Sequence, residues 1–235
     1  MNIRRRAGWA YPRRAHGAHP AWVARRQALR TLLAATALAV LPSCTSLVSR
    51  PAPVKRTFLL DPPLPQPGAG TPKPQVLRIG SINVAAPFRA KQFVYRKSEL
   101  GYESDYYDEW FVPPGTMLAD GIAKGLAAAR VFRRVVPSGA SGNEGDYLLD
   151  GFVTAFYGDV REAPTAELAM SFYLTAMDSL GSAPAWTHEY TQRVPMTATT
   201  PDALAQAQNA ALGAMLRELA RDLDGANLGT SKPAL

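Results

Sequence analysis

The chain has 235 residues, 47% apolar and 19% charged, which is enough length and apolar matter to bury a core as one or two domains. Its net charge of +7 lies almost wholly at the start, because residues 1–43 hold eight arginines (Arg4, Arg5, Arg6, Arg13, Arg14, Arg25, Arg26 and Arg30) and no acid, and the remainder has 18 basic against 19 acidic residues. A body charge of −1 argues against a nucleic-acid partner, and with His16 and His19 also in the leader, the body keeps only His188 and Cys44 for histidine or thiol chemistry.

Arg25, Arg26 and Arg30 precede an 11-residue apolar run, Thr31 to Leu41. A membrane-spanning helix needs roughly 20 residues. The order of charge, short apolar run and small residues is that of an export signal, expected over residues 1–43. A start at Val23 would give a compact leader without residues 1–22, and Ala24 to Arg30 is loosely like a twin-arginine signal. Leu41-Pro42-Ser43-Cys44 resembles a bacterial lipobox, with cleavage between Ser43 and Cys44 and a less usual proline at −2. The Cys44 sulfur would take a diacylglyceryl group, and the α-amine freed by cleavage would take an acyl chain. These covalent chains are the only prosthetic groups expected. Each buried methylene adds about 0.8 kcal/mol, and stable anchorage takes at least two chains. Thr45 stands where an aspartate would retain the protein in the inner membrane, so the expected location is the periplasmic face of the outer membrane, lipid-anchored.

Residues 51–74 contain eight prolines and read as extended chain around a short strand, Thr57 to Asp61. Residues 44–56 form the lipidated tether, whose 12 residues from Thr45 to Arg56 reach roughly 37 Å. One domain is expected over 57–225, with a flexible tail at 226–235. Strands are expected at Val76 to Ala85, at Gln92 to Lys97 and Gly101 to Phe111 around Ser98-Glu99-Leu100, at Val131 to Val136, Tyr147 to Tyr157, Glu167 to Asp178 and Ala185 to Val194. In Glu167 to Asp178, Leu168, Met170, Phe172, Leu174 and Ala176 share the core face. A helix follows Pro113-Pro114, its stripe being Leu118, Ile122, Leu126 and Ala129, with Gly121 and Gly125 allowing close packing on a sheet. The last helix has Thr200 as N-cap, Pro201 at its first position, and Leu204, Leu212, Met215, Leu216, Leu219 and Leu223 inward, ending near Asp224-Gly225. The fold class is α/β: a single compact domain with a mixed sheet of five or more strands flanked by helices.

Residues 88–111 hold eight of the chain's 21 aromatic residues, interleaved with charge. They either pack on their own sheet or form a contact surface in which tyrosine and tryptophan bury large area and keep a polar handle. Strict alternation would send Tyr106 and Trp110 to one face, and Tyr107 and Phe111 to the other. Asp105, Asp108 and Glu109 would supply a charged rim.

The run from Tyr95 to Ile122, YRKSELGYESDYYDEWFVPPGTMLADGI, is similar to the central signature of the ABC-type transport auxiliary lipoproteins, the family that includes paraquat-inducible lipoprotein C. Phe58-Leu59-Leu60-Asp61-Pro62, Leu77-Arg78-Ile79-Gly80, Phe132-Arg133-Arg134-Val135-Val136 and Asp146-Tyr147-Leu148-Leu149-Asp150-Gly151 extend the likeness over roughly residues 57–222. Phe58 replaces the usual tyrosine. The resemblance implies a compact α/β domain on the outer membrane that works with an ABC permease and ATPase and an MCE-domain protein in lipid trafficking. It also implies partner-binding residues among Tyr95, Arg96, Tyr106, Tyr107, Trp110 and Phe111, with self-association as a further possibility. A stand-alone periplasmic scaffold or lipid-binding lipoprotein is the other reading.

An enzyme is not expected. His188 has no nucleophile signature near it in sequence, there is no GxxxxGK[ST] sequence, and Glu103, Asp105, Asp108 and Glu109 lack calcium-loop spacing, so no catalytic or metal residue is assigned.

Overall fold

The computed structural model describes residues 54–228 apart from 143, 180 and 182, so the leader and the Ser43 and Cys44 processing site lie outside the described residues. Strand β1 (Arg56–Phe58) is followed by β2 (Lys73–Val84), β3 (Gln92–Arg96), β4 (Tyr102–Trp110), helix α1 (Pro114–Ala129), β5 (Phe132–Val136), β6 (Tyr147–Asp159), β7 (Thr165–Ala176), β8 (Trp186–Pro195) and helix α2 (Pro201–Gly225). The eight strands form one mixed sheet, as the alternation of strand and helix patterns predicts.

Strand β6 is its organising element. One edge pairs along its length with antiparallel β7, and β7 pairs with antiparallel β8. The other edge is shared. Parallel β2 covers the first half, from Leu77 opposite Tyr147 to Val84 opposite Val153, and parallel β3 covers the end, where Tyr95 and Arg96 lie opposite Gly158 and Asp159. Between them the chain leaves the edge through a 3-10 turn, Ala86–Phe88. The sheet therefore divides into two branches, with β5 beside β2, and with β4 then β1 beside β3.

Both helices cover one face and touch each other. Leu118, Ile122 and Leu126 of α1, and Leu212, Met215, Leu216, Leu219 and Leu223 of α2, are fully buried with Leu77, Leu149, Leu168, Met170, Phe172 and Leu174 of the sheet. The expected glycine contact is corrected. Gly121 and Gly125 flank the sheet-facing stripe and pack on α2, where a Cβ on Gly125 would lie 2.7 Å from Leu216 Cδ1. Helix α2 starts as expected, the Thr200 hydroxyl accepting the Ala203 amide at 3.3 Å. The fully buried Gln208 amide donates to the carbonyls of Tyr157 and Glu167, tying α2 to β6 and β7.

The first strand ends at Phe58, three residues before the expected Asp61, because the Asp61 amide donates to Asn209 Oδ1 of α2 at 2.5 Å and Pro62 and Pro63 have no amide hydrogen to give a sheet. The proline-rich chain becomes a strap over the helices: Pro62 lies beside Gly121, Pro63 beside Gly213, and the Gly68 amide donates to the Ala129 carbonyl at 3.1 Å. The opposite sheet face carries exposed Phe152 and Tyr173. Among the described residues, no helix is long and apolar enough to cross a membrane.

Candidate docking surface

The β3–β4 ribbon is closed by the expected turn, where the Lys97 amide donates to the Gly101 carbonyl and the Gly101 amide to Ser98 Oγ. Its register is irregular. Val94 lies opposite Ser104, but Gln92 lies opposite Glu109, so two steps along β3 are matched by five along β4. Three extra residues are an odd number, and side-chain alternation changes face across the bulge. Tyr102, before it, joins Phe88 and Tyr157 on the face away from the helices, with the Arg96 guanidinium over its ring. Trp110, after it, enters the core between Phe93 and Phe156, at centroid distances of 4.5 and 5.2 Å.

Asp105 builds the bulge. Its Oδ1 accepts the amides of Tyr107 at 2.9 Å and Asp108 at 3.0 Å, the side-chain closure by which aspartate stabilises a turn. Tyr106 and Tyr107 stand out of the sheet at 72% and 41% exposure, their rings nearly perpendicular with centroids 5.0 Å apart. Beyond the strand, Phe111 is 57% exposed and its amide donates to the Phe58 carbonyl.

The six expected contact residues therefore separate. Tyr106, Tyr107 and Phe111 are presented to solvent, whereas Trp110 (2% exposed) and Tyr95 (8%) belong to the core. Arg96 is half-buried and donates to the Glu99 carbonyl, bracing the turn. The expected pairing of Tyr106 with Trp110 on one face is corrected by the bulge. The charged rim is partly internal too. Asp108 is buried, accepting from Arg56 Nε at 2.7 Å, and Arg56 also reaches Asp202 of α2 at 2.9 Å. Glu109 lies between Lys55 and Lys91, and the Lys55 ammonium is 5.3 Å from the Tyr106 ring centre. These bonds fasten β1 to the bulge and to the start of α2.

Beside the tyrosines, an open pocket of about 370 Å³ is lined by Tyr95, Glu103, Asp105, Tyr106, Tyr107 and Pro201 among others. The Tyr95 phenol is held above its ordinary value, first by burial and then by the negative charges of Asp105 and Asp108. His188 lies on edge strand β8, stacked on Trp186 and 4.0 Å from Asp222, whose carboxylate accepts the Tyr190 hydroxyl at 2.6 Å. No group of three or more metal-ligating side chains occurs among the described residues. The sequence reading did not foresee Asp105 as the pivot, although an aspartate two and three residues before the amides it accepts is a recognisable turn signal.

Fold and surface together define a small α/β domain with a projecting aromatic edge. The family model for the ABC-type transport auxiliary lipoprotein component matches residues 58–220, and the chain belongs to that family. Its fold is similar to that of protein XCC0632 from Xanthomonas campestris, of family DUF330, at a TM-score of 0.62 and 18% identity over 70% of this chain and 92% of that one. A second solved structure, of an uncharacterised protein, matches at a TM-score of 0.56 and 16% identity, over 72% and 99% of the two chains. No curated protein sequence matches the chain.

Proposed function

We propose that the protein is anchored through acyl chains on Cys44 to the periplasmic face of the outer membrane and is the non-catalytic auxiliary component of an MCE-type ABC transport system moving phospholipid between the two membranes. It engages its transport partner through Tyr106 and Tyr107, with Phe111 beside them. The observation that carries this reading is the Asp105 bulge, which turns two tyrosines out of a strand whose last residue, Trp110, is core. Exposed aromatics fixed on a rigid strand have the anatomy of an interface anchor, large in area and low in entropy to immobilise. Membership of a family of transport auxiliary components supports a protein partner. The apolar strand faces support binding by surface over carriage of lipid in a groove, since Leu77, Leu149, Met170 and Phe172 are consumed in one core.

The test is co-purification of the full chain with an MCE-domain protein of the same cell, before and after the double substitution Tyr106→Ala and Tyr107→Ala. An anchor contributing about 2 kcal/mol predicts binding weaker by roughly 30-fold at an unchanged melting temperature. Undiminished co-purification refutes the docking assignment, and a wild-type chain that captures no transport component favours a stand-alone scaffold. Labelling with a fatty-acid analogue, present in wild type and lost in Cys44→Ala, checks the anchor separately.

A further inference from the structure

A second pocket, of about 350 Å³, opens where the proline-rich strap crosses the C-terminal ends of the two helices. Its floor is apolar, made by buried Pro65, Ala129, Val131 and Ala220. Three basic residues line it, Arg130, Arg217 and Arg221, against one acidic residue, Asp224. Among the described residues none of the three side chains has an ion pair or hydrogen bond.

Two features set this cluster apart. Arg217 and Arg221 are four residues apart on α2, so their like charges share one helical face. Arg130 ends α1 at φ 55 and ψ 31, and it is the one non-glycine residue with positive φ among the described residues. A left-handed helix end is a position where glycine is the low-cost residue, and an arginine there bears a backbone penalty that its exposed side chain does nothing to offset within the domain. Three arginines without an ion pair, over an apolar floor, match a ligand with an anionic head and an apolar body, and guanidinium forks match phosphate oxygens in geometry as well as charge.

We propose that this pocket binds a phosphoester bearing an apolar tail, the phosphate held by Arg130, Arg217 and Arg221 and the tail against Pro65, Ala129, Val131 and Ala220. The site is independent of the tyrosine bulge and needs no transport partner.

Calorimetric titration of the full chain in a non-ionic detergent, with n-hexyl phosphate, inorganic phosphate and n-hexanol as probes, tests it. Hexyl phosphate should bind at least tenfold more tightly than either of the others, because only it uses both the cations and the floor. Arg217→Gln and Arg221→Gln, at exposed helix positions, should each weaken it about tenfold. Partition into detergent is common to all variants and drops out of that comparison. Arg130→Gly is the decisive variant. A residue serving only as a helix end predicts a higher melting temperature and unchanged binding, whereas a ligand site predicts a higher melting temperature together with about tenfold weaker binding of hexyl phosphate. Equal affinity for inorganic phosphate would overturn the amphiphile, equal affinity for hexanol would overturn the role of the arginines, and full binding by Arg130→Gly would overturn the site.

Discussion

The middle and the C-terminal end of β4 carry similar residues to opposite places. At its C-terminal end Trp110 is clasped by Phe93 and Phe156 in a chain of rings that also takes in Phe58. Four residues earlier Tyr106 touches Tyr107 and the Lys55 ammonium, and is otherwise open to water. Composition does not distinguish the two positions. The difference is made by Asp105, whose carboxylate absorbs two amides that β3 leaves unpaired and so gives β4 its three extra residues. An aromatic cluster in a strand is therefore not evidence for or against a contact surface until the register is known.

The largest effect that could break this comparison is at the core end. Trp110→Ala removes a buried ring in contact with two others and should cost about 3 to 5 kcal/mol of folding stability. Urea unfolding measures it. A loss below about 1 kcal/mol would mean that Trp110 is not the core residue its burial indicates, and the contrast with Tyr106 would collapse.

The pivot comes next. Asp105→Ala leaves the Tyr107 and Asp108 amides without their acceptor, a change comparable to loss of a helix N-cap and expected to cost about 1 to 2 kcal/mol. Hydrogen exchange should quicken at the Tyr107 and Asp108 amides and stay slow at Phe93 and Val94. The tyrosines would lose their fixed geometry while Trp110 stayed packed, so partner binding should fall more than stability does. Protection that persists at both amides would show that the bulge is held by something other than Asp105.

What could be read from sequence follows the same division. The strands from Val76 onward and the caps of α2 were legible because each rests on local chemistry: alternating apolar residues in β7, and Thr200 and Pro201 ahead of an apolar stripe. The bulge was not, since a register shift is a property of two strands, and nothing within Gly101 to Phe111 states where Gln92 and Val94 will pair. The turn of Gly125 toward Leu216 was hidden for the same reason, as it depends on where α2 lies. The proline-rich segment read only as extended chain, because proline spacing reports extended backbone and is silent about what that backbone lies against, here the flanks of Gly121 and Gly213. The likeness to a family pointed to this segment as a whole without telling its core rings from its exposed ones.

The smallest effect at neutral pH is expected for Tyr95, the buried tyrosine that lines the same pocket as Tyr106. Tyr95→Phe retains the ring and removes a phenol, so near pH 7 the change should be within about 0.5 kcal/mol, and it becomes informative only in alkali. Burial, with Asp105 and Asp108 adding to it, holds the folded phenol above its ordinary value of 10.0. The unfolded chain therefore loses this proton first, and from about pH 10 upward the native state binds more protons than the unfolded one. Stability tied to that proton is present in full below this range and declines as pH rises through it. Tyr190, raised by burial and by its bond to Asp222, acts with the same sign. Urea midpoints measured from about pH 8 to about pH 11 should fall less steeply in Tyr95→Phe than in wild type, and less steeply still when Tyr190→Phe is added. If the single variant keeps the wild-type slope, the Tyr95 phenol reaches water, and the line drawn between the core and exposed tyrosines of this edge has to be moved.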